Sequence, residues 1–154
     1  MKFLLAALML VSMNASATPT ASLVGEWRSD RVRTMNYLRQ HVKLEKRTDH
    51  FLEQMMGRLT ITFSTDRVKS VMPAYDATIN GKSHHMTGFE SDNTYRVLYS
   101  GPRVVVVSSL QPVTNTLAVT TYNFDGPDVI WIYTGGADQV LPDSHYREYF
   151  RRVH

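Results

Sequence analysis

Short segments of alternating apolar and polar residues, separated by turn residues, make up most of the chain after residue 57. Ile61 and Phe63 alternate with threonines, and residues 104–107 are β-branched throughout, as is typical of strands. Asn80-Gly81 is a strong hairpin signal, because both residues of such a two-residue turn must adopt positive φ. This part of the chain therefore predicts a series of antiparallel strands at hairpin spacing.

Two segments that precede these strands have helical spacing instead. Apolar residues recur every three or four positions in residues 31–41 and 47–56, so each segment predicts a short helix with one apolar face. Ser29 or Asp30 can cap the first helix, and Gly57 fits the left-handed position that ends the second. One more strand, over residues 23–28, comes before the helix pair.

The order of these segments predicts a mainly β protein. We expect an antiparallel up-and-down β-barrel of about 8–10 strands, with a helix pair between the first and second strands. Closure of the sheet removes the exposed edges that an open meander would leave. A barrel of this size has room for a small ligand inside it.

The first 17 residues follow the plan of a secretory signal peptide. Lys2 precedes an apolar run over residues 3–11, and Ala15 and Ala17 supply the small residues of a cleavage site. The run is too short to span a bilayer. We therefore expect residues 1–17 to be a signal peptide, residues 18–154 to form a single domain, and the protein to be exported to the periplasm or secreted.

The composition excludes several classes of function. The chain has 154 residues and no cysteine, which excludes disulfides, thiol chemistry and a lipid anchor on cysteine. A formal net charge of +3, without a basic stripe, gives no indication of nucleic-acid binding. No other apolar run has the length of a transmembrane helix, so we expect no stable membrane insertion. The sequence leaves the oligomeric state open.

Gly25-x-Trp27 on the first predicted strand resembles the G-x-W signature of the calycins, the superfamily of lipocalins and fatty-acid-binding proteins. The order of one strand, two helices and a meander is similar to the fatty-acid-binding branch, where the helix pair covers the barrel. The resemblance implies a small bacterial-type lipocalin-like protein with Gly25 and Trp27 at the closed barrel end. In lipocalins a late arginine packs over this tryptophan, a role that the resemblance gives to Arg151 or Arg147.

The last predicted strand carries the candidate ligand-binding residues Arg147, Tyr149 and Arg151, which share one face by period two. Arg147-Glu148-Tyr149 also matches the R-x-Y pair that holds a ligand carboxylate in the fatty-acid-binding branch. If this face is inward, the buried guanidinium groups require an anionic headgroup. If it is outward, the arginines are solvated or stack on Trp27, and Phe150 fills the core.

Six histidines allow the hypothesis of a metal site. His145 with Asp143 and His84 is the best candidate set, but the usual spacing of zinc ligands is missing. The prediction is therefore that the protein has no metal and no other cofactor.

No motif for catalysis is present. Asp143-Ser144-His145 contains the residue types of a catalytic triad, but consecutive residues cannot adopt its geometry. A nucleophile elbow, a phosphate-binding loop and a zinc-protease motif are all missing from the sequence. We therefore expect a protein that is not an enzyme.

Three hypotheses about function remain. The first is an exported binding protein whose barrel takes an apolar or amphipathic, possibly anionic, small molecule. The second is an envelope protein-interaction or stress factor with a filled barrel and an exposed apolar patch around Tyr146 and Phe150. The third is a periplasmic metal-binding protein.

Overall fold

The computed structural model describes residues 21–134 and 146–154, and within these residues it has ten strands and two helices. The predicted signal peptide lies outside the described residues, as do Asp143 and His145. The elements in chain order are β1 (Gly25–Ser29), α1 (Arg31–His41), α2 (Lys46–Met55), β2 (Thr60–Phe63), β3 (Arg67–Met72), β4 (Tyr75–Ile79), β5 (Lys82–Met86), β6 (Phe89–Ser100), β7 (Val104–Leu110), β8 (Leu117–Phe124), β9 (Val129–Tyr133) and β10 (Arg147–Val153).

Eight of the described strands close into an antiparallel barrel in the order β1-β10-β9-β8-β7-β6-β3-β2. The barrel closes because β1 pairs with β10 on one side and with β2 on the other. The predicted fold class is confirmed, including the position of the helix pair between the first and second strands.

The remaining two strands, β4 and β5, form a separate hairpin outside the barrel. Its turn is the one that the sequence predicts, with Asn80 at φ 53° and Gly81 at φ 74°. The hairpin is attached to α2 by the side chain of Gln54, whose Oε1 accepts a hydrogen bond from the amide of Thr78 at 2.7 Å. The alternating pattern thus predicts these strands correctly without revealing that they leave the barrel.

Helix α1 begins where β1 ends and packs along β10. Asp30 caps the helix by accepting a hydrogen bond from the amide of Arg33 at 3.0 Å, as predicted. Beyond Ser29, the last β1 residue paired with β10, the hydroxyl of Thr34 accepts a hydrogen bond from the amide of Tyr149 at 2.9 Å. The buried Thr34 thus replaces the strand partner that β1 no longer provides.

The two helices bury their apolar faces in a cluster of their own, separate from the barrel core. Met35 and Leu38 of α1 meet Leu52 of α2 and Met56 just after it. Gly57 then has φ 88°, the left-handed conformation that the sequence predicts at the end of this helix.

Residues 88–93 are assigned wrongly by the sequence. Ser91, Asp92 and Asn93 are typical turn residues and predict a turn before a strand over residues 94–99. The structure instead has the single twelve-residue strand β6, in which Ser91 pairs with Ser70 and Asn93 with Val68 of β3. Polar residues occur here because they line the inside of the barrel, at a level where the interior is polar.

Candidate functional site

The two ends of the barrel interior are built from different kinds of side chain. At one end, the closed half, the inward positions carry large apolar side chains that form one buried cluster. Its main members are Trp27, Phe63, Val105, Val107, Tyr122, Phe124, Ile130 and Phe150. Toward the other end, the open half, the same or adjacent strands present small or polar residues. These include Ser70, Ser91, Asn93, Ser109, Ala118 and Thr120.

This change in side-chain size leaves a cavity of about 1070 Å³ in the open half. Two neighbouring strands illustrate the change: β7 changes from Val107 to Ser109, and β8 from Tyr122 to Thr120. Strands β2 and β9 keep the apolar residues Ile61 and Ile132 in the lining. The volume is at the upper end of the range that holds small organic ligands, about 300–1000 Å³. The closed half is thus a packed core, and the open half is a candidate binding site.

The cavity has an apolar rim at the tip of the β7–β8 hairpin. Leu110 and Val113 line the cavity there, although 36% and 77% of their surfaces are exposed. Exposed aliphatic side chains at a cavity mouth give an apolar ligand a favourable surface as it enters.

Glu148 of β10 is buried in the wall of this cavity, with 7% of its surface exposed. Burial raises the pKa of its carboxyl group from 4.5 to about 7, against the opposing effect of a hydrogen bond from the hydroxyl of Ser29. That hydroxyl also accepts a hydrogen bond from the amide of Gly57 at 2.9 Å. Its only proton is the one that it donates to Glu148. Among the described residues that line the cavity, Glu148 is the only one with a charged side chain.

At the closed end, Trp27 lies fully buried beneath the guanidinium of Arg152, which is 4.2 Å from the ring centroid. The two terminal nitrogens of Arg152 donate to the carbonyl oxygens of Val24 and Ser22. Gly25 has φ 128°, and a Cβ at this position would lie 2.7 Å from Arg152 Nη1. The Gly-x-Trp sequence therefore makes room for the arginine as well as supplying the indole.

The arginine over Trp27 is thus Arg152, and the expectation that Arg151 or Arg147 has this role is wrong. The reason is the alternation of side chains along β10. Phe150 lies in the barrel core, so Glu148 and Arg152 share its face, while Arg147 and Arg151 lie on the opposite face.

The predicted ligand-binding residues Arg147, Tyr149 and Arg151 all lie on the outer face of β10, and none of them lines the cavity. Tyr149 packs under α1, where the guanidinium of Arg33 lies 5.1 Å from its ring centroid. Arg151 Nε donates to the carboxylate of Asp30. These three side chains thus face outward, the second of the two cases that the sequence left open. A binding role for them stays a prediction.

Arg147 occupies an aromatic environment on this outer face. Its guanidinium carbon lies 3.9 Å from the ring centroid of Trp131 and 4.7 Å from that of Tyr37. Its Nε is buried and has no hydrogen-bond acceptor among the described residues. These contacts hold α1 against β9 and β10 by stacking.

The structure does not bring together the residues proposed for a metal site or those proposed for an exposed apolar patch. His84 is exposed on β5, outside the barrel, and no three metal-ligating residues cluster within residues 21–134 and 146–154. Phe150 is fully buried in the barrel core, so the prediction of an exposed patch around Tyr146 and Phe150 is wrong. Most of the exposed large apolar side chains of the described residues lie instead on β6–β8 and the turn between β7 and β8, among them Tyr99, Leu117 and Val119.

Comparisons of the chain with protein-family models, with curated proteins and with solved structures found no match. The eight-stranded antiparallel barrel with its two helices is compatible with a calycin-like fold. None of the described helices is long and apolar enough to span a membrane.

Proposed function

We propose that this protein binds a small molecule in the open half of its barrel. One observation carries the proposal: on β3, β6, β7 and β8 the inward side chains change from large and apolar to small or polar halfway along the barrel. A barrel that served only as a scaffold would gain stability from filling this space, since buried apolar contacts are the main stabilising term. A cavity of about 1070 Å³ is therefore a feature that ligand binding explains.

The proposed ligand is amphipathic, with an apolar body and a headgroup that is cationic or donates hydrogen bonds. Leu110 and Val113 at the rim favour the apolar body, and the hydroxyl groups of the wall favour polar atoms deeper inside. A carboxylate ligand would meet Glu148 with no cation among the described lining residues to offset the repulsion. The proposal thus differs from the anionic ligand that the sequence allows.

We also propose that the protein is a lipocalin-like member of the calycins and that it is exported. The first proposal is supported by the stacking of Arg152 on Trp27 beside Gly25, and by the helix pair after the first strand. The second rests on the plan of a signal peptide in residues 1–17.

Two adjacent serines on β7 allow a matched test of the binding site. Ser109 lines the cavity, while Ser108 does not and lies on the opposite face of the strand. Ser109→Trp places an indole in the cavity and should weaken binding of the neutral dye N-phenyl-1-naphthylamine by about tenfold or more, a change of at least about 1.4 kcal/mol. Ser108→Trp should bind the dye like the wild type, as measured by fluorescence titration.

A second candidate function, binding of another protein, is favoured by the outer surface of the barrel. Strands β7, β8 and β9 carry no charged residue, and Val119 is 63% exposed. If the dye binds this surface instead of the cavity, Ser108→Trp on the outer face should change the titration and Ser109→Trp on the cavity face should not. That result would contradict the proposed cavity site.

A further inference from the structure

Four arginines line one groove on the outside of the barrel, apart from the cavity. The groove has a volume of about 710 Å³. Arg28 and Arg151 reach it from β1 and β10, Arg31 is the first residue of α1, and Arg58 lies between α2 and β2. These residues come from three separate parts of the chain, around residues 28–31, 58 and 151, and the fold brings their charges together.

Two of these arginines are placed directly against each other. Arg28 and Arg151 are partners in the antiparallel pairing of β1 with β10, so their side chains leave the same face of the sheet. Like charges directly opposite each other on neighbouring strands are destabilising. The arrangement therefore lacks a structural benefit of its own and requires a compensating negative charge.

The carboxylates of the described residues supply little of that charge. Asp30 is the only acidic residue among the described residues that line the groove, and it already caps α1 and accepts from Arg151. The lining residues thus have a net charge of +3, equal to the formal net charge of the whole chain.

The other three arginines are weakly engaged. The closest carboxylate oxygens to Arg28 and Arg31 are at 3.8 and 3.7 Å, beyond hydrogen-bond distance, and both side chains are more than half exposed. Arg58 stacks on the ring of Tyr75 and donates its Nε to the backbone carbonyl of Gln54. Stacking and the backbone bond fix the plane of this guanidinium and leave its terminal nitrogens for another acceptor.

We infer that this groove binds a phosphate group. The planar guanidinium groups present pairs of donors that match the oxygens of a phosphate. The start of α1 adds the partial positive charge of a helix N-terminus. The phosphate can belong to a soluble phosphorylated molecule or to a phospholipid headgroup, since both present the same oxygens to the groove.

The test uses Arg28 and Arg58, two of the three arginines that have no close carboxylate partner. Arg28→Gln/Arg58→Gln should weaken binding of inorganic pyrophosphate by at least about tenfold in isothermal titration calorimetry, because two charge-assisted interactions are removed. Wild-type affinity should be higher at about 10 mM salt than at about 150 mM salt, since exposed charges are screened. The matched control, Arg96→Gln/Arg103→Gln, removes the same net charge from exposed positions outside the groove and should bind like the wild type.

A second arm distinguishes the two sources of phosphate. Sedimentation with vesicles of phosphatidylglycerol, compared with vesicles of phosphatidylcholine, reports binding to an anionic lipid surface. Groove-dependent binding of pyrophosphate alone supports a soluble ligand, and groove-dependent binding of the phosphatidylglycerol vesicles supports a lipid headgroup. Arg28→Lys/Arg58→Lys, which keeps the charges without the paired donors, should have intermediate affinity and replaces the glutamine variant if that variant does not fold. Absence of binding in both arms, or equal losses in the groove and control variants, would overturn the inference.

Discussion

Replacing Trp27 by alanine should lower the free energy of unfolding by about 3–5 kcal/mol, the range for deleting a buried aromatic side chain. Trp27 is fully buried, and its Nε1 donates to the carbonyl of Leu23 at 2.7 Å. Its ring packs against the ring of Phe124 in a T-shaped arrangement, with a centroid distance of 6.0 Å. The guanidinium of Arg152 stacks over the indole. The substitution therefore removes the centre of the closed end, and equilibrium unfolding in urea measures the loss.

The other tryptophan of the chain provides the control. Trp131 is half-buried on the outer face of β9, where it stacks with Arg147. Trp131→Ala should cost clearly less than Trp27→Ala, because less apolar surface is lost and no interior cavity is created. Equal losses in the two variants would contradict the assignment of Trp27 as the residue on which the closed end is packed.

Glu148→Gln should make the protein more stable than the wild type at about pH 8, by up to about 3 kcal/mol. The pKa of this carboxyl group is raised by burial from 4.5 to about 7. Between these values the folded protein holds a proton that the unfolded chain has released, so the stability of the wild type falls as the pH rises through this window. Glutamine has no proton to lose, and the variant should escape this fall.

The pH dependence separates this explanation from a general effect of the substitution. At about pH 4 the carboxyl group is protonated in both states, so wild type and Glu148→Gln should differ little. Glu26→Gln, which removes a carboxyl group from the outer face of β1, should keep the wild-type slope between pH 4 and 8. A Glu148→Gln variant that is less stable than the wild type at about pH 8 would show that the buried carboxylate is stabilised by contacts other than Ser29.

A residue that lowers stability at neutral pH and lines a cavity is a candidate for function. Buried ionisable groups without a charged partner are costly, and they are retained where binding or catalysis uses them. This argument connects the expected gain in stability of Glu148→Gln with the proposed ligand site.

The closed end of the barrel could be predicted from the sequence because its signals are local. Gly25 and Trp27 are two residues apart. The Asn80-Gly81 turn of the hairpin outside the barrel is local in the same way, because it is defined by its own φ angles. The late arginine could not be chosen correctly, because that choice depends on which face of β10 is inward. Phe150 is the residue that decides it: once its side chain fills the core, period two places Glu148 and Arg152 inside the barrel.

The open end was harder to predict for the opposite reason. Ser91 and Asn93 have the residue types of a turn, and only their pairing with β3 identifies them as part of a barrel wall. Sequence rules assume that inward positions are apolar. A half-open barrel breaks this assumption at the positions where a ligand would bind, so the polar lining of the cavity and the place of Glu148 in it could not be predicted.

The most direct test of the central claim, that the open half is a ligand site with Glu148 as its polar anchor, is a comparison of headgroups. Dodecylamine, dodecanol and dodecanoate share one apolar body, and each can displace N-phenyl-1-naphthylamine from the wild type and from Glu148→Gln at about pH 8. The carboxylate of Glu148 is ionised above its pKa of about 7, so the amine should bind most tightly and the acid most weakly. Glu148→Gln should remove most of this difference while keeping the affinity for the alcohol. An acid that binds more tightly than the amine, with a preference that Glu148→Gln leaves unchanged, would contradict the claim.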